Sequence, residues 1–214
     1  MSNDSRVKHI WFMRHGQTIF DLENCSYDDF VEALSNGYQT PLHEDHGIDF
    51  ESLPQNVELI CCSPARRAEE TAEKLQEHLK VGLVEKMKFL REVKFDKDII
   101  RRHEYKSLKD SRRDILTRWF TNENKSESFQ KSMARVRRIE KFLKNRQEKS
   151  IIFVTHGWFL RLMQLYFVQD KREEDITLFD LLDVEPIKLG QFVEAKLKLE
   201  SSESNNHVAE VIVC

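Results

Sequence analysis

Three stretches of the chain are apolar without a break: Ile10-Trp11-Phe12-Met13, Leu59-Ile60-Cys61-Cys62 and Ile151-Ile152-Phe153-Val154. A strand with one solvated face alternates apolar and polar residues, whereas a strand covered on both faces does not. The pattern therefore predicts buried strands at 10–13, 57–62 and 151–155, of the kind found in parallel sheets. Helical periodicity lies between them. Ala68, Ala72 and Leu75 share one face of a helix expected from residue 65 to about 79, with Ser63 as its N-cap and Pro64 in its first turn. Phe129, Met133, Val136, Ile139, Phe142 and Leu143 form the stripe of a long amphipathic helix over 126–147, and a further helix is expected over 158–165. Shorter helical spacing occurs within 21–34 and at Ile115, Leu116, Trp119 and Phe120. Residues 88–95 alternate apolar and charged side chains and predict a strand or extended edge. Residues 192–199 and 208–213, joined by the polar turn 201–206, predict an antiparallel edge hairpin. Strands interleaved with helices define an α/β fold: a three-layer α/β/α arrangement with a mostly parallel central sheet, helices on both faces, and a helical insertion near the crevice. A single domain over 1–214, with that insertion at about 97–122, is expected.

Composition changes this picture little. With 40% hydrophobic and 33% charged residues, 6 Gly and 4 Pro among 214 positions, the chain reads as globular and helix-rich, not disordered. No run approaches the length of a membrane span, and the start, Met1 to Arg6, is polar; a cytoplasmic location is expected. The four cysteines fit reduced thiols: Cys61 and Cys62 adjoin within a strand, Cys25 lies in a polar loop and Cys214 is terminal. Charge alters the picture more. The net value is −3, yet residues 97–146 hold 16 Lys and Arg against 7 Asp and Glu. Such asymmetry raises nucleic acid as a partner, but most of these cations alternate with acids or fall on the outer face of a helix, where solvation accounts for them.

The candidate chemistry lies where the strands end. The first ends in Arg14-His15-Gly16, the second in Ser63-Pro64 with Arg67 one turn on, and the third in His156-Gly157. Open α/β sheets bind ligands outside the carboxyl ends of their strands. If the three strands are parallel neighbours, two imidazoles and two guanidiniums meet in one crevice, a set suited to phosphate. Fixed cations of this kind offset the charge of phosphoryl transfer without a metal. His43 and His46 flank two acids, but no third ligand stands at a recognisable spacing, so no metal site is assigned.

These segments resemble, in order, the hallmark segments of the histidine phosphatase superfamily, with the phosphoglycerate-mutase-like fold. The matching stretches are Ile10 to Thr18, Ser63-Pro64-Ala65-Arg66-Arg67-Ala68-Glu69-Glu70-Thr71-Ala72 and Val154-Thr155-His156-Gly157. Weaker similarity covers Gly37 to Leu42 and Glu127 through Arg135-Val136 to Leu143. The resemblance implies a nucleophile at His15, with Arg14, Arg67 and His156 holding the phosphoryl oxygens, and Glu92, in Leu90-Arg91-Glu92, as the acid that protonates the leaving group. It implies no cofactor. Two positions depart from the pattern. Asp21 stands where many members carry a phosphate-contacting asparagine, and Phe95-Asp96-Lys97-Asp98 replaces a segment with Gly and Trp common in the small phosphatases.

The expected function is a metal-independent phosphomonoester hydrolase of the small phosphatase branch, acting through a phosphohistidine on a phosphorylated small molecule or phosphoprotein. A phosphoglycerate-mutase-type phosphotransferase and a non-catalytic phosphate-binding protein are the alternatives. The basic insertion, through Arg101, Arg102, Arg112 and Arg113, is expected to help select anionic substrates.

Overall fold

The computed structural model describes residues 6–21, 24–35 and 39–199. The order along the chain is β1 (Arg6–Arg14), α1 (Tyr27–Ser35), β2 (Leu59–Cys62), α2 (Arg66–Leu79), β3 (Val84–Lys86), α3 (Leu108–Phe120), α4 (Phe129–Lys144), β4 (Ser150–Thr155), α5 (Gly157–Met163), α6 (Leu178–Asp183) and β5 (Phe192–Leu199). Among the described residues five strands form one sheet in the order β3-β2-β4-β1-β5, and of these only β5 runs antiparallel, beside β1. The second arm of the expected C-terminal hairpin, 208–213, and its turn lie outside the described residues, as does Gly37.

The unbroken apolar runs alternate between two cores. Ile10, Phe12, Leu59, Cys61, Ile151 and Phe153 point to a large cluster filled by α1, α3, α4 and α5. Trp11, Met13, Ile60, Cys62, Ile152 and Val154 point to a smaller one closed by Ala68, Ala72 and Leu75 of α2. Successive side chains of a strand leave on opposite faces, so each face must be apolar when both are covered. This is the three-layer α/β arrangement that the pattern predicts.

Two expected elements differ. Residues 88–95 join no strand. Lys88–Leu90 form a 3-10 turn and the chain then runs extended, because carbonyls that would pair with a strand are taken by a side chain: Arg135 Nη1 donates to Phe89 O at 3.0 Å and to Arg91 O at 2.6 Å. Alternation persists there because Leu90, Val93 and Phe95 are buried while Arg91 and Lys94 are exposed. Ser63 is not the cap of α2 either. The N-cap is Ala65, and the Ser63 hydroxyl is used in the site described below.

Register sets the height at which the strands end. Arg14 pairs with Thr155 and Cys62 with Val154, and His15 N then donates to Thr155 O at 3.0 Å and Ser63 N to Val154 O at 3.0 Å. His15, His156 and Ser63 thus form one row across three neighbouring strands. Gly190 closes that edge. Its N–H reaches the carbonyls of Arg14 (3.2 Å) and His15 (3.1 Å), its φ is +75°, and a Cβ there would stand 2.3 Å from Gly47 O. Only glycine meets both conditions. Gly190→Ala should therefore cost at least about 2 kcal/mol, from a left-handed backbone plus a backbone clash. Gly82→Ala, whose methyl would meet no atom within 4 Å, should change stability by no more than about 0.5 kcal/mol. Urea denaturation of the two variants checks this.

Candidate active site

Beyond this row, α2 brings Arg67 into the crevice from its first turn, and its guanidinium lies between the two imidazoles. Arg67 Nε donates to His15 Nε2 at 2.8 Å, and Arg67 Nη2 lies 2.8 Å from His156 Nδ1. A guanidinium can only donate, so both ring nitrogens must present lone pairs. The remaining nitrogens then carry the protons: His15 Nδ1 donates to Gly16 O at 2.8 Å, and His156 Nε2 donates to Ser63 Oγ at 2.7 Å. The network admits one tautomer of each histidine, with the two rings 5.2 Å apart between centroids.

Small contacts hold this arrangement. Gly16 N donates to Thr71 Oγ1 at 3.0 Å, and that hydroxyl donates to Arg67 O at 2.7 Å, tying the end of β1 to the first turns of α2. The α-carbon of Gly157 packs against the Arg14 guanidinium, where a Cβ would lie 3.3 Å from Nε. Arg14 Nη1 reaches Ile187 O at 3.3 Å. Arg66, the neighbour of Arg67, instead pairs with Glu70 across one helical turn on the surface.

Glu92 reaches the same cleft from the loop after β3. Its Oε1 accepts from Val93 N and Phe159 N, both at 2.9 Å, and its Oε2 from Trp158 N at 3.2 Å, so the carboxyl faces the opening amides of α5. The loop is pinned from behind. Thr155 Oγ1 donates to Leu90 O at 2.7 Å, Glu127 Oε2 accepts from Lys94 N at 3.1 Å, and Glu127 forms ion pairs with Arg135 (2.7 Å) and Arg91 (3.1 Å). Arg135 also lies 4.1 Å from the ring centroid of Phe159. Glu92 is thus not the solvent-facing glutamate that its charged neighbours suggest.

All five residues expected at the site meet there. Arg14, His15, Arg67 and Glu92 line the cleft, and His156 lies behind Arg67, at the edge of an adjoining recess with Ser63 and Arg91. Asp21 lines the cleft and accepts from Asn24 Nδ2 at 2.7 Å. Of the four insertion arginines, Arg112 reaches the cleft wall, while Arg102 is drawn to Asp28 of α1. Two participants were not foreseen. Ser63 has the sequence context of a cap. Arg161 also lines the cleft, and its only sequence signal is a single cation within the apolar run Trp158 to Met163. Among the described residues, no three His, Cys, Asp or Glu side chains are grouped to hold a metal ion. His43 and His46 each accept a nearby backbone N–H, from Asp45 and Ile48.

Electrostatics follow from burial among cations. Burial, then Arg67, then Arg14 hold His15 well below its ordinary value, and burial with Arg67 does the same to His156. Burial raises the Glu92 carboxyl, opposed by the three amides and by Arg67. The site thus holds neutral imidazoles among guanidiniums.

Fold and site together define an α/β protein with a cluster of two guanidiniums and two imidazoles at the carboxyl edge of its sheet. Residues 50–185 match the histidine phosphatase superfamily (branch 1), and the chain belongs to that family. The match begins after His15; it is the pairing of β1 with β4 that adds Arg14 and His15 to the matched Arg67 and His156. A Schizosaccharomyces pombe protein described as "Probable phosphatase" is 38% identical over 73 residues, spanning 33% of this chain and 33% of that protein. Among solved structures, a mycobacterial glucosyl-3-phosphoglycerate phosphatase superposes with a TM-score of 0.55 at 15% identity, covering 89% of this chain and 91% of its own. A phosphoglycerate mutase from Bacillus anthracis gives 0.57 at 18% identity, covering 98% and 94%. These two likenesses establish the fold, which is phosphoglycerate-mutase-like. No helix among the described residues is long and apolar enough to cross a membrane.

Depressed histidines couple stability to pH with a definite sign. Below about pH 6.5 the unfolded chain takes up protons that the buried, neutral His15 and His156 refuse, so stability falls as pH falls, by about 1 kcal/mol per pH unit for each histidine. The raised Glu92 acts oppositely, since the folded state is the first to bind its proton. Replacing His156 by Asn should flatten the dependence between pH 6.5 and 5 by about 1 kcal/mol per unit on average. Chemical denaturation at several pH values measures this slope.

Proposed function

We propose that the protein is a phosphomonoester hydrolase working through a covalent phosphohistidine at His15, with no metal. One observation carries the reading: His15 Nδ1 lies 2.8 Å from Gly16 O and its Nε2 accepts from Arg67 Nε at 2.8 Å, the pattern of an imidazole with its proton on Nδ1 and its lone pair on Nε2. A nucleophilic imidazole needs that tautomer, and a guanidinium at that nitrogen stands where phosphoryl oxygens would be bound.

In this reading an arriving phosphoryl group takes over the donors of Arg67 and Arg14, and His156, taking up a proton at Nδ1 as the negative charge arrives, completes the cradle. The freed Nε2 lone pair forms the P–N bond as the bond from phosphorus to the leaving oxygen breaks. Glu92 passes its carboxyl proton to that oxygen, a role suited to a carboxyl raised by burial. The Gly16 carbonyl, facing Nδ1–H, offsets positive charge on the phosphorylated ring. In the second step the Glu92 carboxylate takes a proton from water. The water oxygen bonds to phosphorus, the P–N electrons return to His15, and inorganic phosphate leaves. Two guanidiniums supply the positive charge that a metal would otherwise contribute. Small phosphorylated molecules fit a cleft lined closely by Phe20, Leu108 and Trp158.

The test is rapid quenching of a reaction with an aryl phosphate in chelator. An acid-labile phosphoenzyme and released phosphate are expected, and both should vanish in His15→Ala. Retained turnover in that variant refutes the nucleophile, and transfer to a second hydroxyl in place of water would make the protein a mutase. Glu92→Gln should lower kcat/KM by about 10²–10⁴ for alkyl phosphates and by much less for p-nitrophenyl phosphate, whose leaving group needs no proton, while the water step, common to both, slows for each.

A further inference from the structure

Thr71 is fully buried in α2, one turn after Arg67, and lines neither the cleft nor the recess beside it. A threonine inside a helix can donate its hydroxyl proton to the carbonyl four residues back, and Thr71 Oγ1 donates to Arg67 O at 2.7 Å. The oxygen keeps its lone pairs, and one of them accepts Gly16 N–H at 3.0 Å. Neither bond can run the other way, since an amide N–H only donates and a carbonyl only accepts. The two peptide groups flanking Gly16 are in this way held at both ends. The one between His15 and Gly16 is held by Gly190 N–H on its carbonyl (3.1 Å) and by Thr71 on its amide. The one between Gly16 and Gln17 is held by His15 Nδ1 on its carbonyl (2.8 Å) and by His46 O on its amide (2.8 Å). Two of these four contacts come from backbone and one from the His15 ring itself. The fourth, from Thr71, comes from the helix that carries Arg67.

Transfer of a phosphoryl group to His15 needs the imidazole and the guanidinium at a fixed separation throughout, and a misplacement of about 1 Å can cost about 10²-fold in rate. In the structure Arg67 Nε sets that separation itself, 2.8 Å from His15 Nε2. This bond is given up when a phosphoryl group takes the donors of Arg67. The two bonds of Thr71 are kept, because they use the carbonyl of Arg67 and the amide of Gly16, neither of which reacts. We propose that Thr71 is a positioning residue for the reaction at His15: its hydroxyl fixes the end of β1 against the first turns of α2, and so keeps the His15 ring, with Nδ1–H aimed at Gly16 O, opposite Arg67 once the direct contact between them is lost. The proposal rests on the hydrolase reading for the reaction, but not for the orientation of the ring.

Two substitutions separate the hydroxyl from the shape of the side chain: Thr71→Val keeps the shape and removes the hydroxyl, and Thr71→Ser keeps the hydroxyl. Each is compared with the unaltered protein by kcat/KM for p-nitrophenyl phosphate, by calorimetric binding of inorganic phosphate, and by the 15N spectrum of the His15 ring, which reports the nitrogen that carries the proton. Thr71→Val should lower kcat/KM by about tenfold or more, with a smaller loss of phosphate affinity, and Thr71→Ser should stay within about threefold of the unaltered protein. The share of His15 protonated on Nδ1 should fall in Thr71→Val and be restored in Thr71→Ser. An effect confined to the melting temperature, with turnover and ring spectrum unchanged below it, makes Thr71 a packing residue and overturns the proposal. So does a Thr71→Ser variant as impaired as Thr71→Val. Should Thr71→Val fail to fold, hydrogen exchange of the Gly16 amide in the unaltered protein decides: protection that persists at saturating inorganic phosphate is expected, and its loss on binding overturns the proposal. If the unaltered protein turns over no phosphomonoester, the hydrolase reading fails, and the ring spectrum and amide exchange still decide whether Thr71 orients His15.

Discussion

The bridge from Arg67 to the two imidazoles governs the chemistry of this protein. A guanidinium cannot accept a hydrogen bond, so by donating to His15 Nε2 and lying against His156 Nδ1 it dictates which nitrogen of each ring carries the proton. The Gly16 carbonyl and the Ser63 hydroxyl then have only one role each to play. Burial and neighbouring positive charge keep both rings neutral, and neutrality is what lets a cation lie between them. Each condition supports the next, and together they leave the pocket short of negative charge.

A second constraint acts on Glu92. It stands on a segment without ladder bonds, and side chains from α4, the residues just before it and β4 hold that segment instead: Arg135 takes the Phe89 and Arg91 carbonyls, Thr155 takes that of Leu90, and Glu127 takes the Lys94 amide. Glu127 and Arg135 are both buried, and neither would be tolerated there without the other. In the proposed reaction this carboxyl loses and regains a proton and needs a fixed distance to its target, and the buried ion pair behind the loop provides the stiffness that strand pairing would otherwise supply.

Much of this was legible in the sequence, and the misses have physical causes. Uninterrupted apolar runs revealed β1, β2 and β4, because strands covered on both faces need apolar residues at every position. The stripe from Phe129 to Leu143 revealed α4. β3 has only three residues and lies at the sheet edge, too short for a period to show. Residues 88–95 imitated a strand because burial alternates there, while the bonding that defines a strand is made by Arg135, which lies more than forty residues further on. Arg14, His15, Arg67, His156 and Glu92 stood out by motif. Ser63 did not, since a serine before a proline and a helix has an ordinary local explanation. Arg161 did not, since a lone arginine in a helix is commonplace until its neighbours across the cleft are known.

The position of β4 has a consequence for how the site comes into being. β1 and β2 do not touch each other; β4 lies between them and supplies His156 at the end of the row. Any partly folded species in which the central strand is not seated therefore leaves His15 and Arg67 a full strand apart, with nothing between them to share a charge. About 140 residues of chain separate the ends of β1 and β4, so the pocket depends on the most distant pairing in the sheet's parallel core, the kind that forms slowly. The phosphate binding proposed above would thus be a property of the completed sheet, and a phosphate-dependent gain in stability would report on the seating of β4 as directly as on the pocket itself.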